Sequence, residues 1–135
     1  MQEITVPAAV DQTGKVTDFV ERQLETLGCS QRVIYQVDIA IDELFSNISY
    51  YAYRPDTGPA TVRVEVQKDP MAVIITFIDH GVPYDPLANA DPDVTLSAEE
   101  RAEGGLGIFL VKKAMDDIRY EYRDGQNILT IVKHI

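Results

Sequence analysis

A carboxylate and an amide stand four residues apart at Glu43 and Asn47, within a segment of helical periodicity. This spacing places the two side chains beside each other on one side of a helix. The Asn carbonyl oxygen suits Mg²⁺, and the Glu can take a proton from a hydroxyl group or a water molecule. A solvated helix face is the alternative, because isolated motifs are weak signals. Asp38 and Asp42, also four apart, are predicted to be solvated acids.

A second candidate follows the longest apolar run of the chain, where Asp79 and Gly81 come directly after residues 71–78. A carboxylate at the end of a buried strand can accept a hydrogen bond from an exocyclic amine. A glycine two residues later lets a flat ring approach the backbone closely. The pair could therefore recognise adenine, although Asp and Gly are also common in turns that end a strand.

A third candidate is the glycine-rich segment Gly104, Gly105, Leu106 and Gly107, which opens a helical pattern. Glycine lacks the Cβ atom that would keep phosphate oxygens away from backbone N–H groups, and a helix N-terminus favours anions. The segment matches neither the P-loop nor the Rossmann pattern, and a flexible loop end is the alternative.

Three segments have apolar residues at helical spacing. Two of the predicted helices must position the Glu/Asn pair and the glycine-rich segment. Apolar residues recur at helical spacing from 16 to 27, and Gly28 marks the end of that helix. Ser30 can cap a longer helix, whose apolar stripe extends to residue 52 and has the Glu/Asn pair on its shoulder. A third helix is predicted from Leu106 onward.

Strand patterns occupy much of the rest of the chain: 2–6, 61–67, 71–78, and a hairpin of 118–122 and 128–132 whose turn is 124–127. Residues 82–104 lack a core-forming pattern, which is typical of a lid or binding loop. The order predicts an α/β fold in a single domain over residues 1–135. We expect a two-layer sandwich, with a mixed, mostly antiparallel sheet and helices on one face.

Composition limits the possible partners. The net charge of −10 over 135 residues argues against direct nucleic-acid binding, which relies on clustered Lys and Arg. The longest apolar run is too short to cross a membrane, and the N-terminus lacks the layout of a signal peptide. A single cysteine, Cys29, excludes an intramolecular disulfide and suits a reducing compartment, so the expected location is the cytoplasm.

Together these motifs resemble the GHKL (Bergerat) ATPase fold, and within it the bacterial anti-sigma factor serine/threonine kinases. The resemblance extends from about residue 31 to the C-terminus. It rests on the stretches 42–47 (DELFSN, with Ala-Tyr at 52–53), 79–85 (DHGVPYD) and 103–110 (EGGLGIFL, with Met-Asp at 115–116).

The resemblance implies ATP and Mg²⁺ as cofactors. It implies that Glu43 is the catalytic acid/base and that Asn47 is the Mg²⁺ ligand. It also implies that Asp79 reads adenine, with Gly81 giving the ring room. The segment 104–107 would be the phosphate-facing turn at the end of an ATP lid over residues 82–104.

The reaction implied by the resemblance is transfer of the γ-phosphoryl group to a Ser or Thr of a STAS-domain anti-anti-sigma protein. Such kinases otherwise hold a sigma factor inactive, commonly as homodimers. Two positions depart from the family pattern: Tyr51 stands where His is frequent, and His80 where Asn is frequent. Neither change removes a ligand. Tyr51 lies one helical turn past Asn47, so its change bears on phosphoryl transfer.

Two other functions remain open from the sequence. One is a nucleotide-responsive module that sequesters a partner without kinase activity, which the acidic charge and the long predicted lid suit equally well. The other is a metal-dependent hydrolase, which the scarcity of His and Cys ligands disfavours.

Overall fold

A computed structural model describes residues 1–88 and 105–135, with side chains in the second range described from Gly107 onward. These ranges contain the elements β1 (Gln2–Pro7), α1 (Thr13–Thr26), α2 (Gln31–Tyr51), β2 (Pro59–Gln67), β3 (Ala72–Asp79), α3 (Gly105–Ala114), β4 (Asp117–Arg123) and β5 (Gln126–His134). The predicted order is confirmed. The predicted lid is described only as far as residue 88, so its remainder, with Gly104, lies outside the described residues.

The five described strands form one sheet in the order β1-β2-β3-β5-β4. Each of the four pairings between them is antiparallel, so the sheet is mostly antiparallel as predicted, but the expectation of a mixed sheet was wrong for the described strands. The central strand is β3, with β2 and β5 on its two sides. Asp79 therefore ends the middle strand of the sheet.

The three helices cover one face of this sheet, and the core lies between them. On that face Val62, Phe77 and Leu129 lie side by side on neighbouring strands and are buried. On the opposite face Ile74 and Thr76 keep part of their surface exposed. The two-layer α/β sandwich is confirmed. No helix in the described ranges is both long and apolar enough to cross a bilayer.

The apolar stripe of α2 determines which face of the helix points to the core. The predicted cap is confirmed, since the Val33 N–H donates to Ser30 Oγ at 3.3 Å. Within the helix Val37, Ile41 and Phe45 have no exposed surface. Burying each side chain of this kind stabilises the fold by about 1.5–3 kcal/mol, so turning the helix would be costly. The polar residues on the shoulder of the stripe are therefore held at the edge of the core.

The hairpin of β4 and β5 has a shorter turn than the sequence indicated. The predicted turn over 124–127 was wrong, because the turn consists of Asp124 and Gly125 alone, with φ of 55° and 76°. Two consecutive residues of positive φ form the turn that best fits a two-residue hairpin. Gln126 pairs with Arg123, and Asn127 lies within β5, directly opposite Asp79 on β3.

Candidate functional site

The carboxylate of Asp79 lies in the interior at the end of β3, with 3% of its surface exposed. Its Oδ1 accepts a hydrogen bond from the Gly81 N–H at 2.9 Å and another from Asn127 Nδ2 at 2.8 Å. Within the described part of the chain, both hydrogen bonds go to this one oxygen. Oδ2 is therefore the atom that can accept a hydrogen bond from a ligand.

Asn127 is the residue that holds this carboxylate, and the sequence did not single it out. Its Nδ2 also donates to the Val82 carbonyl oxygen at 2.8 Å. Its Oδ1 accepts from the Tyr84 N–H at 3.1 Å and from the Tyr120 hydroxyl in a short hydrogen bond. The side chain is 6% exposed, so these bonds supply the partners that a buried amide needs. Asn127 thereby ties the loop after β3 to the sheet.

One signal could have found Asn127. An Asp-Gly pair between two strand patterns favours a two-residue turn, which ends the turn at Gly125. Asn127 is then two and four residues before Leu129 and Ile131 in the strand, so it lies on the same face and must point to the core. A polar residue at a core position indicates a hydrogen-bonded network.

Gly81 lies against the last turn of α2. The Val82 N–H donates to the Ala52 carbonyl oxygen at 2.9 Å, and a Cβ atom at position 81 would overlap that same carbonyl group. Close packing between the loop and α2 therefore already requires glycine here. The predicted role of Gly81, giving an adenine ring room, stays a prediction beside this structural requirement.

Glu43 and Asn47 both lie half-buried on α2, as predicted for a shoulder position. Helix α3 packs against α2, and Gly107 comes so close to Glu43 that a Cβ atom at position 107 would overlap the carboxylate. Burial raises the pKa of Glu43, which favours its accepting a proton. The structure thus brings the predicted acid/base and one of the predicted phosphate-facing glycines together.

The glycine-rich segment is helical where it is described. Gly105 begins α3, one residue before the predicted start at Leu106, and Leu106 and Gly107 lie in its first turn. Backbone N–H groups in the first turn of a helix have no partner within the helix and can bind an anion. The phosphate contact therefore stays a prediction, and the groups that would make it are the backbone N–H groups at the start of α3.

A cavity of about 30 Å³ joins the groups on α2 to those at the strand end. Asn47 and Asp79 line the same cavity, together with Asn127 and three tyrosines: Tyr51, Tyr84 and Tyr120. The predicted Mg²⁺ ligand and the predicted adenine reader thus share one site, as binding of a single nucleotide requires.

Residues 6–133 match the histidine kinase-like ATPase domain family. The chain belongs to this family. The serine/threonine-protein kinase BtrW of Bordetella bronchiseptica is 30% identical over 105 residues, which cover 78% of this chain and 73% of BtrW. The serine-protein kinase RsbW of Bacillus cereus is 27% identical over 131 residues, which cover 94% of this chain and 81% of RsbW.

RsbW of Bacillus thuringiensis subsp. konkukian is 26% identical over the same share of both chains. Kinases thus match most of the length of this chain. The GHKL resemblance stated from the sequence is confirmed, and this chain is an ATP-binding serine/threonine protein kinase.

The oxygen atoms at the α2 end of the site fit Mg²⁺ better than a metal ion that takes all its ligands from the protein. No group of three or more His, Cys, Asp or Glu in the described ranges is arranged to hold a metal ion. Mg²⁺ keeps several of its water ligands and takes only one or two oxygens from the protein in nucleotide sites. The Asn47 carbonyl oxygen beside the Glu43 carboxylate offers such a sparse set.

Tyr53 anchors the outer side of the site. Its hydroxyl accepts from the His80 N–H at 2.7 Å and donates to the Pro59 carbonyl oxygen at 2.6 Å. Burial raises the pKa of this hydroxyl, so it stays protonated and can donate. The backbone after Asp79 is thereby joined to the start of β2, while the His80 side chain is exposed.

Proposed function

We propose that this kinase transfers the γ-phosphoryl group of Mg²⁺-bound ATP to a Ser or Thr of a STAS-domain anti-anti-sigma protein. We further propose that it otherwise binds a sigma factor and keeps it inactive, acting as a homodimer. The observation that carries the proposal is the shared cavity of Asn47 and Asp79, with Glu43 and the first turn of α3 beside it. The serine kinases BtrW and RsbW support a hydroxyl acceptor.

Each residue of the site has a distinct part in this proposal. Asp79 Oδ2 accepts a hydrogen bond from the exocyclic amine of adenine, while Asn127 holds the other oxygen. Asn47 supplies an oxygen to Mg²⁺, which neutralises charge on the phosphates. The free N–H groups at the start of α3, including that of Gly107, bind phosphate oxygens.

Glu43 takes the proton of the acceptor hydroxyl. As the hydroxyl oxygen bonds to the γ-phosphorus, the bond to the oxygen that bridges the β- and γ-phosphates breaks, and ADP leaves. The raised pKa of Glu43 makes proton uptake more favourable. Positioning and charge neutralisation contribute most of the rate in such transfers, so Glu43 acts beside the bound nucleotide without holding it.

The test is phosphoryl transfer to a co-encoded STAS-domain protein by the wild type and by Glu43→Gln. We expect the variant to transfer about 10²- to 10⁴-fold more slowly, the usual contribution of acid–base catalysis. Its affinity for ADP should stay within about twofold of the wild type, since glutamine keeps the shape that packs against Gly107. Asp42→Asn, on the exposed side of α2, is the matched control and should leave both quantities unchanged.

A parallel loss of transfer and ADP affinity in Glu43→Gln would contradict the catalytic assignment. The contact between Glu43 and Gly107 would then be structural. The second candidate function is a nucleotide-responsive module that sequesters a partner without chemistry. Phosphate on the STAS-domain protein that disappears with Asn47→Ala would exclude this module, whereas binding without any transfer would support it.

A further inference from the structure

Two tyrosines form the outer wall of the nucleotide cavity. The rings of Tyr51 and Tyr84 stack with centroids 4.8 Å apart and planes 21° apart. Both rings line the cavity, yet 49% of Tyr51 and 37% of Tyr84 is exposed. The pair therefore lies between the cavity and the solvent.

The cavity behind this wall is too small for a base. At about 30 Å³ it holds one or two water molecules but no aromatic ring. An adenine that reaches Asp79 Oδ2 must therefore displace part of the lining. Phe77 and Leu44, on the inner side, are each 1% exposed and belong to the packed core. The tyrosine wall is the part that can move at least cost.

The side chain of Tyr84 can leave the stack while its backbone stays. Its N–H donates to Asn127 Oδ1, and the preceding loop is held by the bond from Asn127 Nδ2 to the Val82 carbonyl oxygen. Tyr84 lies in the loop after β3, whereas Tyr51 is the last residue of α2. A rotation about the side-chain bonds of Tyr84 would open the cavity without breaking these backbone contacts.

The Tyr84 hydroxyl is partly buried and lies within range of the Glu43 charge. Burial raises the pKa of Tyr84, and the charge of Glu43 adds to this effect together with Tyr51. An effect of the Glu43 charge on this hydroxyl requires that the two groups lie near each other.

We propose that the Tyr84 side chain, stacked on Tyr51, closes the nucleotide pocket of the ligand-free kinase and must swing away before the base enters. The inference rests on the proposed function insofar as this cavity is the nucleotide site. Nucleotide binding then competes with the stack, and the apparent dissociation constant equals the intrinsic one divided by the fraction of open molecules. The strength of the tyrosine stack would then contribute to the apparent affinity for ATP.

The test measures ATP affinity by calorimetry in the wild type, Tyr84→Ala, Tyr51→Ala and the double variant. Each single variant should bind about 2- to 10-fold more tightly, which corresponds to the energy of one aromatic pair. The double variant should bind no more tightly than the better single variant, because both changes break the same stack. Tyr35→Ala, at an exposed α2 position outside the cavity, should bind like the wild type.

A second measurement follows the ring itself. The chain has no tryptophan, so Tyr84→Trp introduces a single fluorescent reporter. Its emission should shift to longer wavelength when ATP and Mg²⁺ are added, since the ring passes from the stack into water. A tryptophan introduced by Tyr35→Trp should show no shift.

Three results would overturn the proposal. If the wild type binds ATP and Tyr84→Ala binds equally or more weakly, Tyr84 does not close the pocket. The same holds if the reporter at position 84 shows no shift when ATP binds. If neither the wild type nor any variant binds ATP, the cavity is not a nucleotide site, and this proposal fails together with the proposed function. Binding by Tyr84→Ala alone would support both.

Discussion

Two carboxylates of this kinase sit at the edge of the core in opposite surroundings. Asp79 at the end of β3 lies among donors, and its Oδ1 accepts from a backbone N–H and from Asn127. Asp38 on α2 lies among acids, and its Oδ1 is buried without a hydrogen-bond partner in the described chain. Burial first, and then Glu21 with further acidic neighbours, raises the pKa of Asp38 to about 7.

The comparison shows what makes a buried carboxylate useful for binding. Amide donors on one oxygen orient Asp79 and leave the other oxygen for a ligand. Acidic neighbours favour the protonated form of Asp38, because a buried charge beside like charges is costly. The sequence predicted Asp38 and Asp42 as solvated acids. Asp42 is exposed, but Asp38 is partly buried between α1 and α2, so the prediction was wrong for that residue.

The largest effect is expected from removing the acceptor at the strand end. Asp79→Asn should lower ATP affinity about 100-fold or more, because a site built around a hydrogen bond strongly rejects a mismatched partner. Asp38→Asn is the matched control and should leave ATP affinity unchanged, since that residue lies outside the cavity. Calorimetric titration of both variants measures the difference. Equal losses of ATP affinity in the two variants would contradict the assignment of Asp79, and not Asp38, to the nucleotide site.

A smaller effect is expected from removing the donor that orients Asp79. Asn127→Ala should lower the free energy of unfolding by about 1–3 kcal/mol, because it leaves buried polar groups without partners. Urea denaturation measures this change. Gln126→Ala, one residue earlier in β5, serves as the control and should change stability by less than about 0.5 kcal/mol. An unchanged stability in Asn127→Ala would mean that water replaces the amide at no cost.

The smallest effect is expected from the titration of Asp38, which lies among other acidic residues. The folded-state pKa of Asp38 lies above its ordinary value of 3.8, so the folded chain binds the extra proton between about pH 4 and 7. This contribution to stability is present below pH 4 and is lost as the pH rises through 7. Asp38→Asn lacks this titration and removes the repulsion from Glu21. It should be more stable than the wild type at pH 8 by about 1 kcal/mol, after allowance for solvent screening.

Thermal unfolding of the wild type and Asp38→Asn at pH 5 and pH 8 tests this prediction. The difference between the two proteins should be small at pH 5 and larger at pH 8. A constant difference would show that the effect of the substitution is unrelated to proton binding. Asp42→Asn removes an exposed charge of the same cluster. Its difference in stability from the wild type should change less between pH 5 and pH 8 than that of Asp38→Asn.

Much of the fold and the positions of the site could be predicted because they depend on local patterns. The apolar stripe of α2 placed Glu43 and Asn47 on its shoulder, and the apolar run before Asp79 placed that carboxylate at a strand end. The Ser30 cap and the end of α1 shortly before Gly28, which has a φ of 74°, follow from local chemistry as well.

Tertiary contacts could not be predicted in the same way. The packing of Gly81 against Ala52 and of Gly107 against Glu43 joins segments far apart in the sequence. From the sequence, Gly81 was explained by a ligand or by a turn that ends a strand, and Gly107 by a ligand or by a flexible loop end. The partnership of Asn127 with Asp79 likewise depends on the register of β3 against β5, which was hidden by the longer turn assumed for the hairpin.

The central claim is that the cavity shared by Asn47 and Asp79 binds ATP with Mg²⁺. Calorimetric titration of the wild type with ATP, in Mg²⁺ and after its removal by a chelator, tests this most directly. We expect saturable binding at one site per chain that tightens with Mg²⁺, and a loss of that tightening in Asn47→Ala. Absence of binding under both conditions, or an Asn47→Ala variant that responds to Mg²⁺ like the wild type, would contradict it.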